Sequence, residues 1–127
     1  MTKEKVTDLS SQHNSWLSAL DFYKQELNII KTRLTELAGK NTGKEMSAQV
    51  EHFENQVKVQ GLNVDELRHN INETLAKTAA QAKENSAGYV DAALIQEDAK
   101  HGEMFATTEK VINELRQEFN RFASQWM

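Results

Sequence analysis

The most constraining feature of the chain is a long stripe of apolar side chains in its first third. Between Val6 and Leu37 one residue in every three or four is apolar or aromatic, with the single exception of His13. The stripe reads Val6, Leu9, His13, Trp16, Leu20, Tyr23, Leu27, Ile30, Leu34, Leu37. This spacing follows the 3.6-residue period of an α-helix, so these side chains share one helix face. A helix with such a stripe buries it against other helices.

Two further stripes with the same period follow along the chain. The middle stripe contains Met46, Val50, Phe53, Val57, Val64, Leu67, Ile71, Thr74, Thr78. The last stripe contains Leu94, Asp98, His101, Phe105, Thr108, Ile112, Leu115, Phe119, Phe122, Trp126. The 127 residues include no proline and five glycines, so few residues disfavour helix formation. We predict an all-α fold, an up-down-up bundle of three long helices forming one domain over residues 1–127.

The helix boundaries follow from glycine and asparagine. The first helix is predicted over residues 5–38, because Gly39 suits a left-handed C-terminal cap. The glycine-containing stretch 39–43 is then a loop, and the second helix begins near Lys44. A second turn is predicted at 85–88, so the last helix covers 89–125.

The middle helix carries a local interruption signal. Gly61 is a helix breaker, and Asn63 with Glu66 three residues later forms a capping box. Leu62 and Leu67 occupy the two positions of a hydrophobic staple. The apolar stripe nevertheless continues across these residues, so we predict a kink or tight break near Gly61–Asn63 with collinear halves, and a reversal of the chain is the alternative.

Charge and composition exclude several function classes. Fifteen basic and 19 acidic residues give a net charge of −4, without long blocks of either sign, which argues against a nucleic-acid or membrane partner. The absence of cysteine excludes a disulfide framework and a thiolate site. No apolar run approaches the roughly 20 residues that span a bilayer, and the N-terminus does not resemble a signal peptide. We expect a soluble, cytoplasmic protein.

Histidines at one depth of the bundle are the main chemical clue. Counting outward from the predicted turns places His13 opposite His69 and puts His101 within about two residues, or roughly 3 Å, of the same level. His13 and His101 point inward by phase, whereas His69 lies on the opposite side of its helix. A buried imidazole needs a hydrogen-bond partner or a metal. Asp98 lies one turn before His101 on the same stripe, so we expect these two side chains to pair.

Two interpretations of this layer remain open. In the first, it is a buried polar layer that sets the register of the helices. In the second, His13, His101 and a carboxylate from Asp98 or Glu97 hold a divalent iron, zinc or manganese ion. No cofactor is needed in the first case, and the second requires the metal.

A four-residue motif bears on the metal interpretation. Glu66-Leu-Arg-His69 resembles half of the signature of the di-iron carboxylate bundles, and the segment from Asp98 to His101 is its aspartate variant. The resemblance covers these eight residues only. It implies that Glu66 and His69 join the site if the middle helix is rotated or reversed.

Apolar residues outside the stripes indicate an interaction surface. These residues are Phe22, Ile29, Val59, Leu62, Met104, Val111, and by the same counting most of them cluster near the middle of the bundle. Exposed together, they would form a partner or self-association interface. The chain has no recognisable nucleophile with a base and no phosphate-binding loop. We therefore expect a non-enzymatic interaction or scaffolding protein, and a metal-binding bundle is the alternative.

Overall fold

The computed structural model describes residues 6–40, 43–84 and 91–126, except for the side chains of 6–8 and 84. Three helices account for nearly all of these residues. Helix α1 covers Val6–Lys40, α2 covers Lys44–Glu84 and α3 covers Ala92–Gln125. At 1.5 Å per residue each is about 50 to 60 Å long. The predicted all-α bundle of three long helices is confirmed.

Contacts between side chains establish the up-down-up topology. Lys24 and Asp21 on α1 contact Asp65 and Arg68 on α2, so sequence numbers rise in opposite directions and the two helices are antiparallel. Tyr23 contacts Glu109 and His13 contacts Asp98, so α1 and α3 run parallel. Helix α1 packs most extensively on α2 and least on α3.

The three predicted stripes form the interior. Every described member is buried except Trp16, Phe105 and Trp126, which are partly buried and pack against the core. Removing a Leu, Ile or Phe side chain from water contributes about 1.5–3 kcal/mol. Because each stripe contributes a row of such side chains, their burial provides most of the driving force for the bundle.

The described apolar core consists of two clusters of unequal size. The larger extends from Leu20 on α1 to Ala123 on α3, and Ile71 is its last member on α2. The smaller contains Leu9 and Leu94 with Ile95 packed against them. Polar side chains separate the two clusters, and these side chains form the candidate site.

Helix α2 continues without interruption through Gly61, so the chain neither breaks nor reverses there. Gln60, Gly61 and Val64 are all buried, because this stretch lies against α1. A glycine inside a helix costs about 1 kcal/mol relative to alanine. Burial of the continuing stripe outweighs that cost, so the capping box of Asn63 and Glu66 does not form.

Two helix ends differ from the predictions. Helix α1 continues through Gly39 to Lys40, where a basic side chain in the last turn interacts favourably with the helix dipole. Helix α3 begins at Ala92 instead of residue 89, because Asp91 caps it by accepting a hydrogen bond from the backbone N–H of Leu94 at 3.1 Å. The turn predicted at 85–88 lies outside the described residues.

Within residues 6–40, 44–84 and 92–125, no helix carries an apolar run of the length that a bilayer crossing requires.

Two glycines inside helices provide a matched test of the packing. A Cβ atom at position 61 would meet only the flexible Lys24 Nζ, at 3.4 Å, whereas at position 102 it would meet the Trp16 ring at 3.3 Å. We predict that Gly61→Ala raises the free energy of unfolding by about 0.5–1 kcal/mol through helix propensity. Gly102→Ala should gain less or lose stability, because the packed Trp16 ring must move. Urea denaturation of both variants measures this, and equal stabilisation of the two would contradict the packing of Trp16 on α3.

Candidate functional site

The candidate site is a layer of polar side chains buried where all three helices meet. Helix α1 contributes His13, α2 contributes Thr74, and α3 contributes Asp98 and His101. Their exposed fractions are 0%, 1%, 4% and 9%. We call these four residues the polar layer. His13 and His101 are both buried, as their positions on the apolar stripes predict.

Within the polar layer, a hydrogen bond between His13 Nε2 and Asp98 Oδ1 links α1 directly to α3. An ionised carboxylate only accepts, so the imidazole proton is on Nε2. His13 Nδ1 is buried and has no hydrogen-bond partner among the described residues. Asp98 therefore holds the orientation and the tautomer of His13.

A chain of hydrogen bonds links α3 to α2 through Thr74. The Thr74 hydroxyl donates to Glu97 Oε1 at 3.0 Å, and its oxygen lies 2.7 Å from His101 Nε2. Because a hydroxyl has one proton, His101 Nε2–H is the donor in the second bond. Lys77 Nζ also donates to Glu97 Oε1, at 3.2 Å. The chain thus runs from the buried His101 to an exposed lysine.

Burial and these hydrogen bonds shift two pKa values. Desolvation lowers the pKa of His101, because the charged imidazolium loses its hydration, and the carboxylates of Asp98 and Glu97 only partly oppose this. For Glu97, desolvation acts to raise the pKa, but the hydrogen bonds from Thr74 and Lys77 together lower it below its ordinary value. His101 is therefore held neutral and Glu97 ionised near neutral pH.

The pairing within the layer differs from the prediction. Asp98 contacts His13 across the helix interface instead of the neighbouring His101, which bonds to Thr74. His13 also lies near the level of Thr74 instead of the predicted His69, because it contacts Asp98 while Thr74 contacts the flanking Glu97 and His101. The prediction places the end of α1 at Ala38, and its extension to Lys40 accounts for two positions of this shift along α2.

Glu66 and His69 lie outside the polar layer. Both side chains are exposed, and His69 Nε2 lies 3.1 Å from Glu73 Oε1 one turn away on the same helix. The middle helix is neither broken nor reversed, so the condition under which these two residues would join the site does not hold. The resemblance to a di-iron motif has no structural counterpart at these positions.

The arrangement offers little to a metal ion. In residues 6–40, 43–84 and 91–126 no three His, Asp or Glu side chains are grouped so that they could hold one ion. Asp98 is engaged by His13, and Glu97 is directed to Thr74 and Lys77. Aromatic packing closes one side of the layer, because Trp16 lies between the His13 ring, at a centroid distance of 5.7 Å, and the Phe105 ring, at 6.1 Å. This geometry favours holding the helices together over receiving a substrate.

The predicted interface residues lie on the surface. Phe22, Ile29, Val59, Leu62 and Met104 have exposed fractions of 50%, 56%, 40%, 61% and 54%. Val111 is partly buried. We call these six residues the apolar girdle.

Two features of the site region were not predicted from the sequence. Tyr23 donates a 2.5 Å hydrogen bond to Glu109, and burial together with this carboxylate raises the pKa of Tyr23 to about 12. The second feature is a groove between α1 and α2 beside Gly61. The signal for this groove in the sequence is a glycine on the flank of an apolar stripe. From the sequence alone, that glycine is attributed to a kink or tight break of the helix.

The buried pair of His13 and Asp98 generates a stability prediction. Asp98→Leu removes the acceptor that a buried N–H of His13 contacts, which should cost about 1–3 kcal/mol of unfolding free energy. The double variant His13→Leu/Asp98→Leu should recover most of this loss or exceed the wild type, since both buried polar side chains of the pair are gone. Urea denaturation of the four-member cycle measures the coupling.

The exposed pair of His69 and Glu73 is the matched control. Replacing both by leucine should change stability by less than about 0.5 kcal/mol. The single and double variants of His69 and Glu73 form a second cycle. A coupling energy equal to that of the His13/Asp98 cycle would contradict the structural role of the buried pair.

The lowered pKa of His101 generates a pH prediction. In the unfolded chain His101 titrates near its ordinary 6.5, so the folded state binds the proton less well than the unfolded state. The folded bundle should therefore lose stability as the pH falls below about 6.5 and keep it above that value. His101→Gln should reduce this loss, because glutamine retains a donor for Thr74 and has no charge.

The control variant for the pH profile is His52→Gln, which changes an exposed histidine. The melting temperatures of the wild type and of both variants, measured from pH 7.5 to 5, give the pH dependence of stability for each protein. If His101→Gln leaves the pH dependence unchanged, His101 does not titrate in this way.

Comparisons with protein-family models, with curated proteins and with solved structures find no match to this chain. Its function is therefore inferred from the placement and chemistry of its own side chains.

Proposed function

We propose that this chain is a non-enzymatic interaction or scaffolding protein that docks other proteins, or copies of itself, through its outer helix faces. The observation that carries the proposal is the apolar girdle. Five of its large side chains remain 40–61% exposed although the helices have buried their three stripes. These side chains are surplus to the core, and apolar groups concentrated on a surface are typical of interfaces.

The position of the girdle supports this proposal. The contacts of Lys24 with Asp65 and of Tyr23 with Glu109 align the three helices. By that alignment Leu62 and Val59 lie near the levels of α1 residues 27 and 30, and Met104 lies near residue 18. All five exposed side chains thus fall within about 12 residues of helix, or roughly 18 Å. They lie within one short section of the bundle's long axis, and they are distributed around that axis over all three helices.

Helix spacing places two girdle side chains on one face of α1. Phe22 and Ile29 are seven residues apart, so they lie on the same outward face of α1, and Phe22 also stacks edge-on against Tyr23. A partner helix packs on such a face by inserting its ridges between these side chains. The polar layer then serves this role indirectly, by holding the three helices in one register.

The expected compartment rests on composition alone. The absence of cysteine and the mixed surface charge are compatible with the cytoplasm, which we retain as part of the proposal. No observation among the described residues favours the metal-binding alternative.

Site-specific photo-crosslinking in the native host tests the proposal. We expect a photoreactive amino acid at position 22, 29, 62 or 104 to give reproducible adducts with one or a few proteins, or with a second copy of the chain. Positions 117 and 124, which are exposed on α3 outside the girdle, are the matched controls. Mass spectrometry identifies the adducts, and equal crosslinking at girdle and control positions would contradict a docking role.

A paired set of variants then separates self-association from docking of other proteins. If the chain self-associates, Phe22→Glu/Ile29→Glu should lower the mass measured by sedimentation equilibrium, because a charge in the interface must be desolvated. Gln117→Glu/Ser124→Glu adds the same charge at the same seven-residue spacing on α3, outside the girdle, and should leave the mass unchanged.

A further inference from the structure

A groove between α1 and α2 offers a more specific docking site than the girdle as a whole. Its volume is about 590 Å³, which lies within the range of ligand-binding clefts. Leu27 and Val57 are buried at its base, and Leu62, which is 61% exposed, stands at its edge. The groove therefore combines an apolar base with an apolar rim that the bundle itself does not cover.

Gly61 brings the backbone of α2 to the lining of this groove. It is buried in the middle of a 41-residue helix, where glycine lowers helix stability. Packing of the bundle does not require it, because an added Cβ would meet only Lys24 Nζ, the far end of a flexible side chain. At Gly102, by contrast, the packed Trp16 ring occupies the place of the missing side chain. A ligand that displaces the Lys24 amine can therefore approach the backbone of α2 at position 61.

Positively charged side chains outnumber negatively charged ones around the groove. Lys24 is engaged, because its Nζ lies 2.9 Å from Asp65 Oδ2 and donates to the carbonyl oxygen of Gly61 at 3.3 Å. Lys31 and Lys58 are exposed, and neither side chain makes an ion pair with another described residue. Three lysines thus line the groove against the two carboxylates of Glu54 and Asp65, in a chain whose net charge is −4. This is a local excess of positive charge on an acidic protein.

The shape of the groove selects an elongated ligand. Its lining residues extend from Lys24 to Thr35 along α1 and from Asp65 to Glu54 along α2. This length of about 11 residues corresponds to roughly 16 Å, or three turns of a helix. A helix can lie along such a groove, and a small residue beneath it allows the backbones to approach closely.

We propose that the α1/α2 groove docks an acidic amphipathic helix of a partner protein. An apolar side chain of that helix contacts Leu27 and Leu62 above Gly61, and flanking carboxylates pair with Lys31 and Lys58. The assignment rests on the proposed interaction function and specifies the chemistry of the partner. Apolar contact supplies affinity, and the lysines select acidic helices over basic ones.

Two designed peptides test this assignment on the full chain. Both have the same leucine and alanine face, and their polar positions are all glutamate in one and all lysine in the other. Titration into ¹⁵N-labelled protein at low salt should give at least tenfold tighter binding of the acidic peptide. The largest amide shifts should occur at Lys31, Val57 and Gly61. Net charge alone would produce the opposite preference, because the protein is acidic.

Charge variants provide the matched control. Lys31→Glu/Lys58→Glu should weaken the acidic peptide at least tenfold, whereas Lys100→Glu/Lys110→Glu makes the same change in net charge on α3 and should weaken it much less. Gly61→Ala should also weaken binding while the fold is retained, because its methyl group occupies the groove above the backbone.

The results that would overturn the groove assignment are distinct from those that would overturn the interaction function. Absence of acidic-peptide binding, amide shifts away from α1 and α2, or equal effects of the two lysine pairs would reject the groove. If the groove is rejected but positions 22 and 104 still give crosslinks, the proposed interaction function stands. Loss of both the crosslinks and the peptide binding would reject both.

Discussion

The hydrogen bond between His13 and Asp98 limits how the three helices can be aligned. Apolar stripes that repeat every three or four residues can slide past each other by one helical turn and still bury similar areas. Such a slide of α3 along α1 would separate these two buried polar groups, and each unpaired group costs about 1–3 kcal/mol. The bond from His101 to Thr74 imposes the same restriction between α3 and α2. Polar groups inside an apolar bundle thereby select one register.

The surface features depend on that register. With His13 at Asp98, Trp16 on the next turn lies over Gly102, and Tyr23 two turns farther reaches Glu109. With α1 and α2 aligned through Lys24 and Asp65, the amine of Lys24 also reaches the carbonyl oxygen of Gly61. A different alignment would separate these contacts and change the side chains that line the groove. The buried layer and the external groove are therefore two consequences of one alignment.

In the proposed function, the interior of this protein holds the helices together and its surface docks the partner. The interior uses its histidines and carboxylates in hydrogen bonds between helices, and little of that chemistry is accessible to a ligand. The surface carries exposed apolar side chains at mid-length and a groove lined with lysines. A rigid bundle that presents such a surface binds a helix without large rearrangement, so little conformational entropy is lost on docking.

The sequence by itself determined the helices and the face of each that is buried, because a 3.6-residue period is a local property of the chain. It also identified the inward positions of His13, Asp98 and His101 and the exposed positions of Phe22, Leu62 and Met104. The tertiary structure decided what those side chains contact. His13 meets Asp98 at the level of Thr74 because contacts between distant segments set the sliding and rotation of helices. No local pattern specifies these two quantities, and the groove beside Gly61 depends on both.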